Sequence, residues 1–294
     1  MAKLLMNDFS PAHTAWLRYA SALASYLVAF AFLDFFLPER RKRLGRPFVL
    51  PKRPKDLGLL ALLGFMTFCF APFLQMTGLN ISRATDNSVI IAMEPMITVF
   101  LAWLFLAEKV TSKHVFTFFV AIIGFLLLTE MGPSQLFQGW NQHLIGNLIL
   151  LVSLTGEASY SVLCRKLMKR YSMTGIFGTA LACGVLFLGI LTLLVSGLPP
   201  LSHLSLTSLL ALLWLGPLGT TVTYLYWMSA LREAPVASLA LTLFVQPVLG
   251  TIWGYLFLDD RLNLVQTLGA CLILSAVFAQ SYLETRSPRG LPGK

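Results

Sequence analysis

Long apolar runs, separated by short polar links, make up most of this chain. A helix that crosses a bilayer needs about 20 mostly apolar residues, and nine runs come close to that length or exceed it. They do not alternate apolar and polar positions as barrel strands do, so we predict helices, whose backbone groups satisfy one another in lipid. The predicted spans are residues 12–37, 57–79, 86–107, 113–129, 144–164, 174–197, 205–231, 237–258 and 263–283.

The composition narrows the class of protein. Of 294 residues, 56% are apolar and 12% are charged, and the mean hydropathy is +0.74. A soluble domain carries about 25% charged residues. These values exclude a disordered chain, a fibrous repeat and a soluble nucleic-acid-binding domain. They predict an all-α, polytopic helical membrane protein whose main partner is the lipid bilayer.

Lysine and arginine are concentrated in alternate links, which predicts the orientation of the chain. Three basic residues (Lys3, Arg83 and Arg261) lie on one side, and Arg18 lies within a span. Because cytoplasmic loops collect Lys and Arg, we predict an inner-membrane protein whose C-terminal tail, 284–294, is cytoplasmic. The net charge of +9 then needs no nucleic-acid partner. The basic side holds Arg40, Arg41, Lys42, Arg43, Arg46, Lys52, Arg53, Lys55, Lys109, Lys113, Arg165, Lys166, Lys169, Arg170, Arg232, Arg286, Arg289 and Lys294.

The chain also repeats itself. A shift of 152 residues aligns 63–111 with 215–263 without gaps and pairs Pro95 with Pro247. A second match pairs the residues that follow Lys3 with those that follow Arg165. The alignment predicts a first repeat over 1–130, which shows four helices, and a second repeat of five helices over 144–283. A unit with an odd number of helices inserts its second copy upside down, and inverted repeats are typical of secondary transporters.

The first repeat lacks the helix that begins the second. We therefore expect an apolar helix upstream of Met1, and a nine-helix variant is the alternative. Residues 1–11 are too short and too polar for a signal peptide.

The pattern resembles the EamA-domain proteins of the drug/metabolite transporter superfamily. The resemblance rests on Pro11 and Arg18, on TGLNISRATDNSVIIAMEPMITVFLAWLFLAEKV (77–110) and on its partner SALREAPVASLALTLFVQPVLGTIWGYLFLDDRL (229–262). It implies two inverted five-helix repeats and a secondary-active transporter, expected to be an exporter, of a small organic metabolite by alternating access. It implies no cofactor and no enzymatic activity, and it leaves a homodimer open.

Two carboxyl groups deep in predicted spans are the first candidates for a substrate or proton pathway. Glu94 stands before Pro95, and their repeat partners are Gln246 and Pro247. Glu157 is the second carboxyl. A charge at this depth is costly and marks a functional group by default, although each carboxyl could instead serve helix packing. Paired helix interruptions in the two repeats point to a transport site.

Further polar and aromatic residues complete the candidate pathway. Arg18 could attract an anionic group, or its side chain could reach outward to water. The remaining candidates suit an organic solute, although the aromatic ones could equally face lipid. They are Gln75, Asn87, Tyr224 and Trp227.

Two other classes of function stay open. A non-transporting structural or assembly protein fits the missing helix. An intramembrane enzyme fits less well, because the chain has no H-E-x-x-H and no G-x-x-x-x-G-K-[ST] motif. We expect the four cysteines to be buried free thiols, since an isolated Cys behaves as a small apolar residue. They are Cys69, Cys164, Cys183 and Cys271.

Overall fold

The structure is a computed structural model, and the parts of the chain that it describes contain helices and no strands. The helices follow the predicted spans closely. They are α1 (Ala2–Leu5), α2 (Pro11–Phe36), α3 (Pro54–Ile81), α4 (Ala84–Ile91), α5 (Glu94–Leu106), α6 (Ser112–Leu128), α7 (Gln142–Leu167), α8 (Met173–Ser196), α9 (Leu206–Trp227) and α10 (Leu264–Arg286). The described residues are 1–39, 45–51, 53–106, 112–129, 142–168, 170–200, 204–227, 253, 256 and 262–286.

Five of these helices are long and apolar enough to cross a membrane, and α4 with α5 makes a sixth if the two form one bent span. The helices α6 and α10 each contain a shorter apolar stretch. The protein is therefore a polytopic all-α membrane protein, as the apolar runs predict. The predicted span 237–258 lies outside the described residues, apart from two positions.

Short polar residues set where several helices begin. Ser10 accepts a hydrogen bond from the backbone N–H of His13 at the start of α2, and Pro11 occupies the first helical position. Ser172 and Ser205 accept equivalent bonds at the starts of α8 and α9. A serine in this position satisfies an N–H that the helix itself leaves unpaired, and proline fits there because it has no N–H.

The predicted span 86–107 is interrupted where its sequence carries Glu94 and Pro95. One helix ends at Ile91, a turn covers Ala92 and Met93, and α5 begins at Glu94, with a bend of 42° between the two helices. Proline disfavours helical geometry in the residue before it and clashes with the preceding turn. The break therefore falls where the sequence places it.

Two helices contain a π-helical segment, and the sequence analysis predicts neither segment. In α3 the segment is Met66–Phe70, and in α9 it is Trp214–Val222, which contains Pro217. The 152-residue repeat shift carries 66–70 onto 218–222, so the two segments occupy equivalent places. Pro72 and Pro217 each remove a backbone donor, and a π-helical turn accommodates such an interruption without ending the helix.

The described residues fall into two compact units, each of which draws on both halves of the sequence. Unit A comprises those of Met1–Asn80 and Thr155–Ser229, and unit B comprises those of Ile81–Leu154 and Ala230–Lys294.

Glycine allows close helix contact within each unit. In unit A, a Cβ on Gly64 of α3 would lie 2.5 Å from the carbonyl oxygen of Ala180 in α8. In unit B, a Cβ on Gly124 of α6 would lie 2.8 Å from the carbonyl oxygen of Gly269 in α10. Small residues at such crossings are a common way for membrane helices to associate.

Candidate functional site

Two polar side chains meet inside unit A. The amide Nε2 of Gln75, on α3, donates a hydrogen bond to Oε1 of Glu157, on α7, over 3.3 Å. Gln75 is buried and Glu157 is half-buried. Both were predicted as pathway residues, but nothing in the sequence pairs them. Close packing brings their helices together, because a Cβ on Gly156 would lie 2.5 Å from the carbonyl oxygen of Met66.

Arg18 joins the same cluster. Its Nε donates to Oγ1 of Thr220 over 3.3 Å, and its guanidinium carbon lies 5.1 Å from the centre of the Tyr19 ring. The guanidinium also interacts electrostatically with Glu157. This hydrogen bond connects the half-buried Arg18 side chain of α2 to α9. Thr220 is the member of this cluster that the sequence analysis missed.

Each charged group in the cluster is bonded to a neutral side chain. Among the described residues, Arg18 hydrogen-bonds to Thr220, and Glu157 hydrogen-bonds to Gln75. A guanidinium has five N–H donors, and a carboxylate has about four acceptor sites. Both groups therefore keep hydrogen-bonding capacity that a solute could use.

Aromatic rings pack beside this cluster. Tyr224 contacts the rings of Phe68, Tyr160 and Phe177, with centroid distances of 5.5, 5.5 and 5.4 Å. Tyr19 contacts Phe68 at 5.6 Å and so links the rings to Arg18. Tyr224 is therefore partly buried against the aromatic core of unit A. Trp227, the last described residue of α9, is half-buried.

The remaining predicted residues belong to unit B or lie outside the described residues. Glu94 is the first residue of α5, directly after the break, and it is half-buried. Pro95 is the second residue of that helix. Asn87 lies on α4, and its Oδ1 is buried without a hydrogen-bond partner in the described part of the chain. Gln246 and Pro247 lie outside the described residues.

Unit B contains a buried polar network that the sequence analysis did not single out. Asn147 Nδ2 donates to Asp86 Oδ2 over 2.9 Å, and Ser82 donates to Asn147 Oδ1. Arg83 forms an ion pair with Asp86 at 3.5 Å and donates to Gln266 over 3.1 Å. The signal available in the sequence was the spacing of Arg83 and Asp86, since residues three apart on a helix are neighbours.

The cysteines only partly follow the expectation of buried thiols. All four are free thiols. Cys69 and Cys164 are buried and Cys183 is half-buried, whereas Cys271 is exposed on the surface of α10. The expectation is wrong for Cys271, because an apolar environment in a membrane protein includes the lipid-facing surface as well as the core.

Comparison with known proteins assigns the family. Residues 1–130 and 144–282 match the profile of the EamA-like transporter family. The chain belongs to this family. As an EamA-like transporter of the drug/metabolite superfamily, it is an integral, multi-pass membrane protein in a lipid environment. The family points to transport of a small molecule rather than to enzymatic activity.

Relatives of this EamA-like transporter carry transporter names. It is 23% identical over 281 residues to the uncharacterized transporter YyaM of Bacillus subtilis, covering 96% of this chain and 88% of YyaM. It is 25% identical over 239 residues to a probable amino-acid metabolite efflux pump of Escherichia coli, covering 78% and 77% of the two chains. A solved crystal structure shares the fold, with a TM-score of 0.64 at 16% identity over 98% of this chain and 93% of that one.

Proposed function

We propose that this protein is a secondary-active exporter that moves a small organic metabolite across the cytoplasmic membrane by alternating access. The supporting observation is the contact between Gln75 and Glu157 beside Arg18 and Thr220, a polar cluster on four apolar helices. Charged groups within a membrane are costly and mark solute or proton pathways. The efflux-pump name of a relative supports the direction of transport.

The cluster offers a route to coupling. A carboxylate such as Glu157 can hold a proton or a cationic group of a solute, but not both at full strength. Competition for one carboxylate yields exchange, in which inward proton movement accompanies outward solute movement. The rings of Tyr19 and Tyr224 would pack against the apolar part of the solute and favour a nearby cation through their π faces.

Glu94 is the second candidate group on the pathway. It opens α5 at a helix break, and paired breaks in the two repeats of a transporter point to its site. We also propose that Glu94–Pro95 and Gln246–Pro247 occupy equivalent places in two inverted repeats. We propose that the C-terminus is cytoplasmic and that the protein assembles as a homodimer.

Flux from liposomes tests the proposal. Purified protein is reconstituted into liposomes loaded with a mixed set of small amines, carboxylates and neutral solutes, and mass spectrometry follows efflux after an inward proton gradient is applied. We expect the gradient to drive efflux of at least one class, and Glu157→Gln to abolish that driving effect because glutamine does not titrate.

Ser159→Ala is the matched control on the same helix. The Ser159 hydroxyl donates to the carbonyl of Gly156 within α7, so its loss leaves the polar cluster unchanged. The proposal would be contradicted if, for every solute class, efflux were no faster than from solute-loaded liposomes without protein. Gradient-driven efflux that survives Glu157→Gln would contradict the role of this carboxyl.

A further inference from the structure

The hydroxyl of Thr220 has two partners with different roles. Thr220 Oγ1 donates to the carbonyl oxygen of Leu215 over 2.9 Å and accepts a hydrogen bond from Arg18 Nε over 3.3 Å. The residue is fully buried. A hydroxyl has one proton to donate, so the bond to Leu215 turns its lone pairs toward Arg18.

The π-helical segment of α9 sets this direction. Thr220 bonds a carbonyl five residues earlier, whereas a threonine in an α-helix bonds the carbonyl three or four residues earlier. The wider turn around Pro217 therefore brings Leu215 and Thr220 into register.

Neighbouring contacts fix α9 against α2. Thr221 Oγ1 donates to the carbonyl of Ala22 over 2.7 Å and lies 3.0 Å from Ser25 Oγ. A Cβ on Gly216 would lie 2.9 Å from the carbonyl oxygen of Arg18, so the two helix backbones are close there. The position of Thr220 relative to Arg18 is therefore set by backbone contacts on both sides.

We infer that Thr220 is a positioning residue that keeps the Arg18 guanidinium from closing onto the Glu157 carboxylate. The inference deepens the proposed function, because both charges are then available to the solute. Opposite charges attract strongly where water is scarce, and an arginine on a flexible stem tends to form a two-bond contact with a carboxylate. The bond to Thr220, with Tyr19 under the guanidinium, holds Arg18 in place.

The test compares Thr220→Val, which keeps the shape but removes the hydroxyl, with Thr220→Ser, which restores it. The first readout is the KM of solute efflux. Loss of a hydrogen bond to a charged group corresponds to about a tenfold change, so we expect KM to rise about tenfold in Thr220→Val and to recover in Thr220→Ser. Thr220→Ala repeats the deletion if the valine variant fails to fold.

The second readout needs no transport. Dicyclohexylcarbodiimide modifies protonated carboxyl groups, and mass spectrometry measures its attachment to Glu157 in the purified protein. In the part of the chain that the structure describes, Arg18 and Gln75 act on the Glu157 carboxyl, and Glu157 acts on the neighbouring Tyr19 hydroxyl. If Arg18 is released, it contacts Glu157 and keeps the carboxyl ionised, so labelling at a fixed pH falls in Thr220→Val and returns in Thr220→Ser.

Thr223→Val is the matched control, because its exposed hydroxyl also donates to a carbonyl five residues earlier, that of Leu218, on its own helix. We expect it to leave KM and labelling unchanged. Equal labelling in the parent and Thr220→Val, failure of Thr220→Ser to restore labelling, or the same loss in Thr223→Val would overturn the inference. If no variant transports but labelling follows the expected pattern, the proposed function fails while the positioning role stands.

Discussion

Gln75 and Glu157 lie 82 positions apart in the sequence, and the amide of one donates to the carboxylate of the other over 3.3 Å. The bond connects α3 and α7. Under the proposed function, a polar solute would find hydrogen-bonding partners in this part of unit A.

Removing the donor should weaken transport. We expect Gln75→Leu to lower kcat/KM for efflux about tenfold, from the energy of a hydrogen bond to a charged group. Thr77→Val is the control two residues along α3, because its hydroxyl bonds the carbonyl of Phe73 on the same helix. Equal loss in both variants would show that α3 tolerates no change there, and that the bond to Glu157 is not the cause.

Glu94→Gln tests the second carboxyl. The repeat partner of Glu94 is Gln246, so an uncharged residue of the same shape is expected to fit at the start of α5, and the variant should insert and fold. If Glu94 carries a proton, efflux in proteoliposomes should lose part of its pH dependence. If it pairs with a cationic solute, KM should rise at every pH. Efflux that matches the parent at each pH would identify Glu94 as a packing group.

Gly64→Ala should destabilise unit A. The added Cβ would lie 2.5 Å from the backbone oxygen of Ala180 and 2.9 Å from Cβ of Cys183, so α3 and α8 must move apart. Overpacking of this kind costs about 1–3 kcal/mol. Gly58→Ala on the same helix meets nothing within 4 Å and should not lower stability. The midpoint of thermal unfolding in detergent, followed by tryptophan fluorescence, measures both, and equal midpoints would contradict the close contact.

Tyr171, which lies between α7 and α8, forms a titratable contact with Asp56 in the first turn of α3. The Tyr171 hydroxyl donates to Asp56 Oδ2 over 2.8 Å, and this bond, with burial and the negative charge of Asp56, raises the pKa of Tyr171. The bond exists only while Tyr171 is protonated. Its stabilising effect is therefore complete below the ordinary tyrosine pKa of about 10 and disappears as the pH rises through the folded value.

Asp56→Asn should lower the pKa of Tyr171, because the charge of Arg170 and Arg53 then acts on the phenol without an opposing carboxylate. Phenolate absorbance during alkaline titration measures the change, and Tyr171→Phe identifies the signal that belongs to this residue. An unchanged titration in Asp56→Asn would show that the hydrogen bond does not control the phenol.

Labelling at the two ends of α8 tests the predicted orientation of the chain in the membrane. Near its N-terminus, the backbone oxygen of Arg46 accepts a bond from Thr174 over 3.5 Å, whereas Leu198 follows its C-terminus and is exposed. In intact cells, we expect a membrane-impermeant maleimide to label Leu198→Cys and not Arg46→Cys, with the parent as the background for the native thiols. The reverse pattern would place the basic links outside the cell.

For the described residues, the sequence alone determined where the helices lie and where one of them is interrupted. Hydrocarbon admits only backbones whose polar groups are internally satisfied, so length and apolarity were enough to place the helices within a few residues of where they lie. The break before Glu94 was also readable, because the effect of Pro95 on the preceding turn is local. These features depend on neighbours in the chain and need no knowledge of the fold.

Only the tertiary structure decided which polar side chains meet. Arg18, Gln75, Glu157 and Thr220 come from four helices, and no spacing rule connects them across such distances. The Arg18 side chain is long enough to extend either toward water or into the protein interior. Its contact with Thr220 depends on how α2 and α9 pack. The π-helical turns were not predicted either, since a proline such as Pro217 is compatible with a kink as well as with a π-helical turn. The packing of the helices determines which side chains meet within a membrane protein. The local pattern of apolar residues does not predict that packing.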